Sequence, residues 1–295
     1  MTTSELQRER PSFLRTLSRS AFVPALLLAG FFSGPAAAEK ALVGVAANFS
    51  EVAERLARDF EQASGHTITF VAASTGKLYA QIANGSPLDA FLSADQESPA
   101  RLVKDGVAVK GSRFTYATGR LTLWSRDPGR IGRDGAALLR QGKFRRLAIA
   151  NPALAPYGVA AKQTLEKLGL WKRFADRIVM GETIGQAHVH VASGNAELGF
   201  VALSSVLSPR NATKGSRWDV PVDLYAPIRQ DAVLLVRGAG NPAARGFLDF
   251  LRSRKAKTVI EAFGYGVAHT GSSASGSATS VPRDSRRFHS AKIAG

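Results

Sequence analysis

The chain contains no cysteine among its 295 residues. Disulfide frameworks, thiolate metal sites and cysteine nucleophiles are therefore all excluded. The alternative of a membrane anchor is disfavoured, because the apolar run A-F-V-P-A-L-L-L-A-G-F-F falls well short of the ~20 residues that a spanning helix requires. That run follows Arg8, Arg10, Arg15 and Arg19 and precedes Ala36-Ala37-Ala38, the layout of a cleavable secretory signal peptide over residues 1–38 with Glu39 as the mature start. Export without cysteine points to a bacterial envelope protein held together by packing. An apolar fraction of 45% is ample for such a core.

Acidic residues are in short supply: 23 Asp and Glu against 39 Lys and Arg give a formal charge of +16. The four leader arginines and two leader glutamates lower this to about +14 in the mature chain. Such a balance fits nucleic acid, a membrane surface or an anionic small ligand. The cations are spread out, at Lys143, Arg145 and Arg146, at Arg252, Arg254, Lys255 and Lys257, and at Arg283, Arg286 and Arg287. No aromatic residues interleave with them as a base-stacking platform demands, so solvated faces are the expectation and a nucleic-acid partner is not.

From Ala41 onward, short β-branched runs alternate with amphipathic helical stretches, which predicts an α/β architecture with mostly parallel strands. A-L-V-G-V-A reads as a strand; the next stretch places Val52, Leu56, Phe60 and Ala63 at helical spacing before Gly65 stops it. The extended segments R-F-T-Y-A-T-G-R-L-T-L-W and P-I-R-Q-D-A-V-L-L-V can carry the chain out of one lobe and back again, forming a hinge. The expected organisation is lobe 1 at 39–117 and 228–268, lobe 2 at 118–227, and a Ser/Gly-rich flexible tail at 269–295.

Four loops share one chemistry. A-A-N-F-S (46–50), A-A-S-T-G-K (72–77), A-P-Y-G (155–158) and E-T-I-G-Q-A-H (182–188) each follow an extended stretch, precede a helix and are rich in small neutral donors. Helix N-termini expose unpaired N–H groups and partial positive charge, so such loops together make an anion site without any formal cation. Neutral donors suit a fully deprotonated oxyanion, whereas a protonated anion would aim its own O–H at a donor. In A-N-P-A-L-A-P-Y-G (150–158), Pro152 and Pro156 stiffen the approach and Gly158 allows close backbone contact.

Together, A-A-N-F-S-E-V-A, A-S-T-G-K-L-Y-A-Q-I-A-N-G-S-P-L-D-A-F-L-S-A-D, G-S-R-F-T-Y-A-T-G-R-L-T-L-W-S, A-N-P-A-L-A-P-Y-G-V-A-A and G-Q-A-H-V-H-V-A-S-G-N-A-E-L-G-F-V-A-L resemble the periplasmic molybdate-binding proteins of molybdate/tungstate ABC transporters over about residues 40–267. The resemblance implies a two-lobed periplasmic binding protein fold with two crossover strands as hinge. It implies a non-enzymatic receptor that closes on dehydrated molybdate or tungstate, works without a cofactor or cationic metal, and passes its guest as a monomer to a membrane permease. Family ligand positions map to Asn48, Ser74, Thr75, Tyr157 and, through its backbone N–H, Ile184, with Ala47 and Gly76 secondary. Ala47 stands where some relatives have threonine, and Ala202 where some use tyrosine, so those hydroxyl contacts are expected to be missing.

Other signals carry less. T-G-K-L at 75–78 lacks the first glycine and the Ser/Thr of a P-loop. His188 and His190 are two apart in a helical stretch, which splays them. Asp89 and Asp95 flank F-L-S-A and could serve a secreted hydrolase, but no nucleophile accompanies them and capping roles are expected. Among transport readings, a receptor for another tetrahedral oxyanion such as sulfate is the main alternative.

Overall fold

The computed structural model describes residues 38–268. The signal peptide expected at 1–38, except Ala38, and the tail expected at 269–295 lie outside these residues. The elements, in chain order, are β1 (Lys40–Ala46), α1 (Ser50–Ser64), β2 (Thr67–Ala73), α2 (Thr75–Ala83), β3 (Ala90–Leu92), α3 (Glu97–Lys104) and β4 (Phe114–Gly119). Next come β5 (Leu121–Ser125), α4 (Gly135–Gln141), β6 (Leu147–Ala150), α5 (Pro156–Lys167), β7 (Ile178–Gly181), α6 (Ile184–Ala192), β8 (Leu198–Ala202), α7 (Leu203–Leu207) and β9 (Ser216–Asp219). The chain then returns through β10 (Ile228–Leu234) and closes with α8 (Pro242–Leu251) and α9 (Arg254–Ala262).

Two five-stranded sheets result, ordered β2-β1-β3-β10-β4 and β7-β6-β8-β5-β9. Each holds two parallel and two antiparallel pairings, so the sheets are mixed rather than mostly parallel in their contacts. The reason is local. The fourth strand of each sheet is a crossover strand, β10 or β5, which arrives from the other lobe without a crossover helix and so runs against its neighbours. The first crossing takes place at Arg120, between β4 and β5; the second occupies the stretch from β9 to β10.

The first sheet is covered on both faces. Val43 and Val45 of β1 pack with Val52, Leu56 and Phe60 of α1, Phe247 of α8 and Ile260 of α9, while Leu78, Ile82, Phe91 and Leu102 form the layer beneath α2 and α3. Helix α1 shows the expected stripe except at Ala63, which is exposed. It ends where Gly65 takes a φ of 73° and caps Glu61, as only glycine does without strain. In the second lobe, Leu123 and Trp124 of β5, Ile149 of β6 and Phe200 of β8 build one core with Leu165 of α5 and Val191 of α6. Strands β7 and β9 are not foreseen from the sequence, since four residues with exposed or polar members carry too little alternation to read.

Folding also gathers cations that look dispersed along the chain. Arg130, Lys143, Arg145 and Arg177 surround one surface hollow of the second lobe. The Arg177 guanidinium lies over Phe144 and Phe174 and donates to Gly142 O and Phe144 O, Arg130 donates to Lys143 O, and Arg145 pairs with Glu197. Both rings are buried, so they offer no face to a base. Among the described residues, no helix is long and apolar enough to cross a membrane.

Candidate functional site

Four of the β-to-helix turns meet between the lobes. Each lies at the C-terminal end of a parallel strand, where open α/β sheets leave a crevice. Strand β1 leads through a 3-10 turn, Ala47–Phe49, into α1; β2 leads into α2; β6 into α5; β7 into α6. Ala46, Ala47, Asn48, Ser74, Thr75, Ala155, Pro156, Tyr157, Thr183 and Ile184, joined by Ala94, line one tight pocket of about 10 Å³. No lysine, arginine, aspartate or glutamate is among them.

The donors that face this space follow from helix geometry. Ser74 is the N-cap residue of α2, with extended backbone and no capping bond from its side chain. Its hydroxyl is buried without any hydrogen-bond partner, although such groups in folded proteins almost always have one. Thr75 Oγ1 accepts from Ala94 N at 3.1 Å, which leaves its own proton to donate. On the opposite lobe, Pro156 occupies the first position of α5, so the first available N–H there belongs to Tyr157. Thr183 caps α6 by accepting from Gln186 N, and Ile184 opens that helix with an N–H that has no intrahelical acceptor.

Beneath the pocket lies a buried polar network. Asn48 Nδ2 donates to Gln230 Oε1 at 3.0 Å and to Tyr265 Oη at 3.1 Å. Tyr265 Oη donates to Asn48 O at 2.7 Å, and Ser204 Oγ lies 3.0 Å from the same phenol oxygen. Tyr116 Oη reaches Ser93 O and Gln230 Oε1, each at 3.0 Å. Gln230 Nε2 donates to Tyr157 Oη at 3.4 Å. Burial pushes the Tyr116 and Tyr157 phenols well above their ordinary range and Tyr265 up to about 12, so all three remain neutral donors at physiological pH.

The expected site residues therefore converge, with two corrections. The side-chain amide of Asn48 has both hydrogens engaged in the network below, so this residue faces the pocket with its backbone N–H at the opening of the 3-10 turn. Gly76 does not line the pocket: its N–H crosses the cleft to Leu154 O at 2.9 Å. A Cβ on Gly76 would sit 3.2 Å from that oxygen, which explains a glycine at this close approach. Glu182 pairs with Lys77 at 2.9 Å across the rim, both partly exposed, and contributes no carboxylate to the interior. Ala202 is buried in the second-lobe core at the end of β8, and its methyl has no hydrogen-bonding group to offer.

Sequence reasoning missed Thr183, Ala94 and the whole network of Tyr116, Ser204, Gln230 and Tyr265. The polar run Arg229-Gln230-Asp231 ahead of the apolar A-V-L of β10 is the one available signal, because polar groups buried in a strand require partners. The other candidates resolve into structural roles. Asp89 accepts from Leu42 N at 2.8 Å, and Asp95 accepts from Ser98 N at 2.9 Å and from Ser93 Oγ at 3.0 Å. His188 stacks on Trp124 at 4.6 Å, while His190 borders a separate hollow beside Arg146 and Glu197. Among the described residues, no group of three or more metal-ligating side chains forms.

Comparison with known proteins agrees with this geometry. The family model for bacterial extracellular solute-binding proteins matches residues 41–266. The molybdate-binding protein of Azotobacter vinelandii is 50% identical over 239 residues, covering 81% of this chain and 94% of its own. That of Rhodobacter capsulatus is 44% identical over 253 residues, covering 86% and 98%. The solved structure of an Azotobacter vinelandii periplasmic molybdate-binding protein superposes with a TM-score of 0.75 at 41% identity, covering 78% of this chain and 100% of that one. The chain belongs to the bacterial extracellular solute-binding protein family, in the branch that holds the molybdate-binding proteins.

Proposed function

We propose that this protein captures molybdate or tungstate in the periplasm and delivers it, as a monomer, to the permease of an ABC transporter. The observation that carries this reading is the partnerless Ser74 hydroxyl, buried in a pocket formed by four helix N-termini and free of formal charge. Ser74, Thr75, Tyr157 and the backbone N–H groups of Ala47, Asn48 and Ile184 are the donors for the oxyanion. Each charge-assisted hydrogen bond contributes roughly 1.5–3 kcal/mol, and the four helix dipoles add to this within the first turn. Several such bonds are needed, because the dianion must shed its water. The names borne by the relatives at 50% and 44% identity point to the same guest.

Donors without a carboxylate acceptor discriminate by protonation state. Molybdate and tungstate enter fully deprotonated and accept from every direction. Phosphate near neutral pH carries a proton that meets only donors, leaving buried groups unpaired at a penalty of about 1–3 kcal/mol each. Calorimetric titration of the mature protein should show tight, one-to-one uptake of molybdate and tungstate and weak or no uptake of phosphate. Sulfate, smaller at its centre, should bind more weakly than molybdate, and a preference for sulfate or phosphate would overturn this assignment.

A further inference from the structure

Gln230 hydrogen-bonds to a pocket residue of each lobe, Asn48 on one side and Tyr157 on the other, and Tyr265 joins the same two residues. It is fully buried on the returning crossover strand β10, at the point where the pairing with β4 shifts register between Gln230 and Asp231. The extra residue is Tyr116 of β4, which lies between Ala117, paired with Gln230, and Thr115, paired with Asp231, and such a bulge aims the Tyr116 phenol at Gln230 Oε1. The other crossing meets it there: a Cβ on Gly119, the last residue of β4, would collide with Tyr157 Oη and lie 2.7 Å from Gln230 Nε2. Hinge strands and pocket thus share one hydrogen-bonded junction.

Proton counting fixes which way the Gln230 amide points. Tyr265 has a single phenolic proton, and its shortest contact, 2.7 Å to Asn48 O, has only that proton to use. The phenol oxygen must therefore accept from the Asn48 amide, so the Asn48 atom there is Nδ2. The same Nδ2 faces Gln230, which must present Oε1 to it and to Tyr116, and so turns Nε2 toward Tyr157. A donor aimed at the Tyr157 oxygen occupies its acceptor side. The phenolic proton is left to point into the pocket or to Tyr265, the other phenol within its reach.

Resting on the oxyanion reading above, we propose that Gln230 is a positioning residue that couples hinge closure to capture: its bond to Tyr157 forms as the lobes meet and directs the phenolic proton onto the guest. Gln230→Met keeps the volume and removes both amide functions. Gln230→Glu keeps the acceptor for Asn48 and Tyr116 but draws the Tyr157 proton away from the pocket.

Titration with sodium molybdate, paired with stopped-flow release rates and thermal melts, tests this in wild type, both variants, and each variant combined with Tyr157→Phe. Losing one hydrogen bond of this kind should weaken affinity roughly 10-fold in Gln230→Met, chiefly through faster release, and about 100-fold in Gln230→Glu, where the lost donor also becomes a competing acceptor. In the Tyr157→Phe background the Gln230→Met loss should vanish, a coupling that a purely structural role would not produce. Affinity within twofold of wild type in Gln230→Met, or a loss undiminished by Tyr157→Phe, overturns the proposal. If Gln230→Met does not fold, Gln230→Glu carries the same comparison. Failure of wild type to take up molybdate overturns the oxyanion reading itself, and this proposal with it.

Discussion

Ser74→Asp should abolish oxyanion binding, by a factor of at least about 10³, while the protein still folds. A carboxylate at this position faces a dianion inside a pocket with no cation to offset it, and the effective dielectric there makes like-charge contact worth several kcal/mol. At the head of α2 the same carboxylate is favourable in the free protein, since it caps N–H groups and meets the positive end of the dipole. Ser74→Ala separates the roles further. It removes a hydroxyl that has no partner in the protein, so stability should hold or rise slightly while affinity drops about 10- to 100-fold, the worth of one charge-assisted bond. Calorimetry and thermal melts on the same samples decide it; a lower melting temperature with unchanged affinity would make Ser74 a structural cap only.

Gly158→Ala should destabilise the protein by roughly 2–4 kcal/mol, because the new methyl is forced against main chain that cannot rotate aside. The added carbon would meet Ala150 O and would lie 2.8 Å from both Asn151 C and Pro152 N. Helix α5 would have to back away from the end of β6 and take the Tyr157 N–H and phenol with it. The melting temperature should therefore fall by about 5–15 °C, with molybdate affinity reduced in parallel. Gly132→Ala is the matched control: nothing lies within 4 Å of a Cβ there, so the melt should stay close to wild type. Equal melting of the two variants would contradict the close packing of α5 on β6.

The lobes, the hinge crossings and the four pocket loops were legible because each rests on a local pattern. Leu56 and Phe60 at helical spacing, Gly65 at a helix end, and small donors between strand and helix all act over a few residues. The network under the pocket was not legible, for it joins residues as far apart as Asn48 and Tyr265, 217 positions along the chain. The role of Asn48 shows the difference. Its place in a pocket loop follows from the sequence, but where its amide hydrogens go depends on two distant side chains, Gln230 and Tyr265. Mixed pairing within each sheet escaped for a related reason, since strand direction at β5 and β10 is set by which lobe the chain comes from.

The backbone bond from Gly76 to Leu154 makes one amide a natural gauge of lobe separation. At the second position of α2 that N–H would otherwise have no acceptor, and the acceptor it does have belongs to the opposite lobe. Deuterium from the solvent reaches it when the lobes part. Its exchange rate in heavy water therefore reads the open population without any label or substitution, and an anion that holds the lobes shut should slow it by the factor through which it depletes that population.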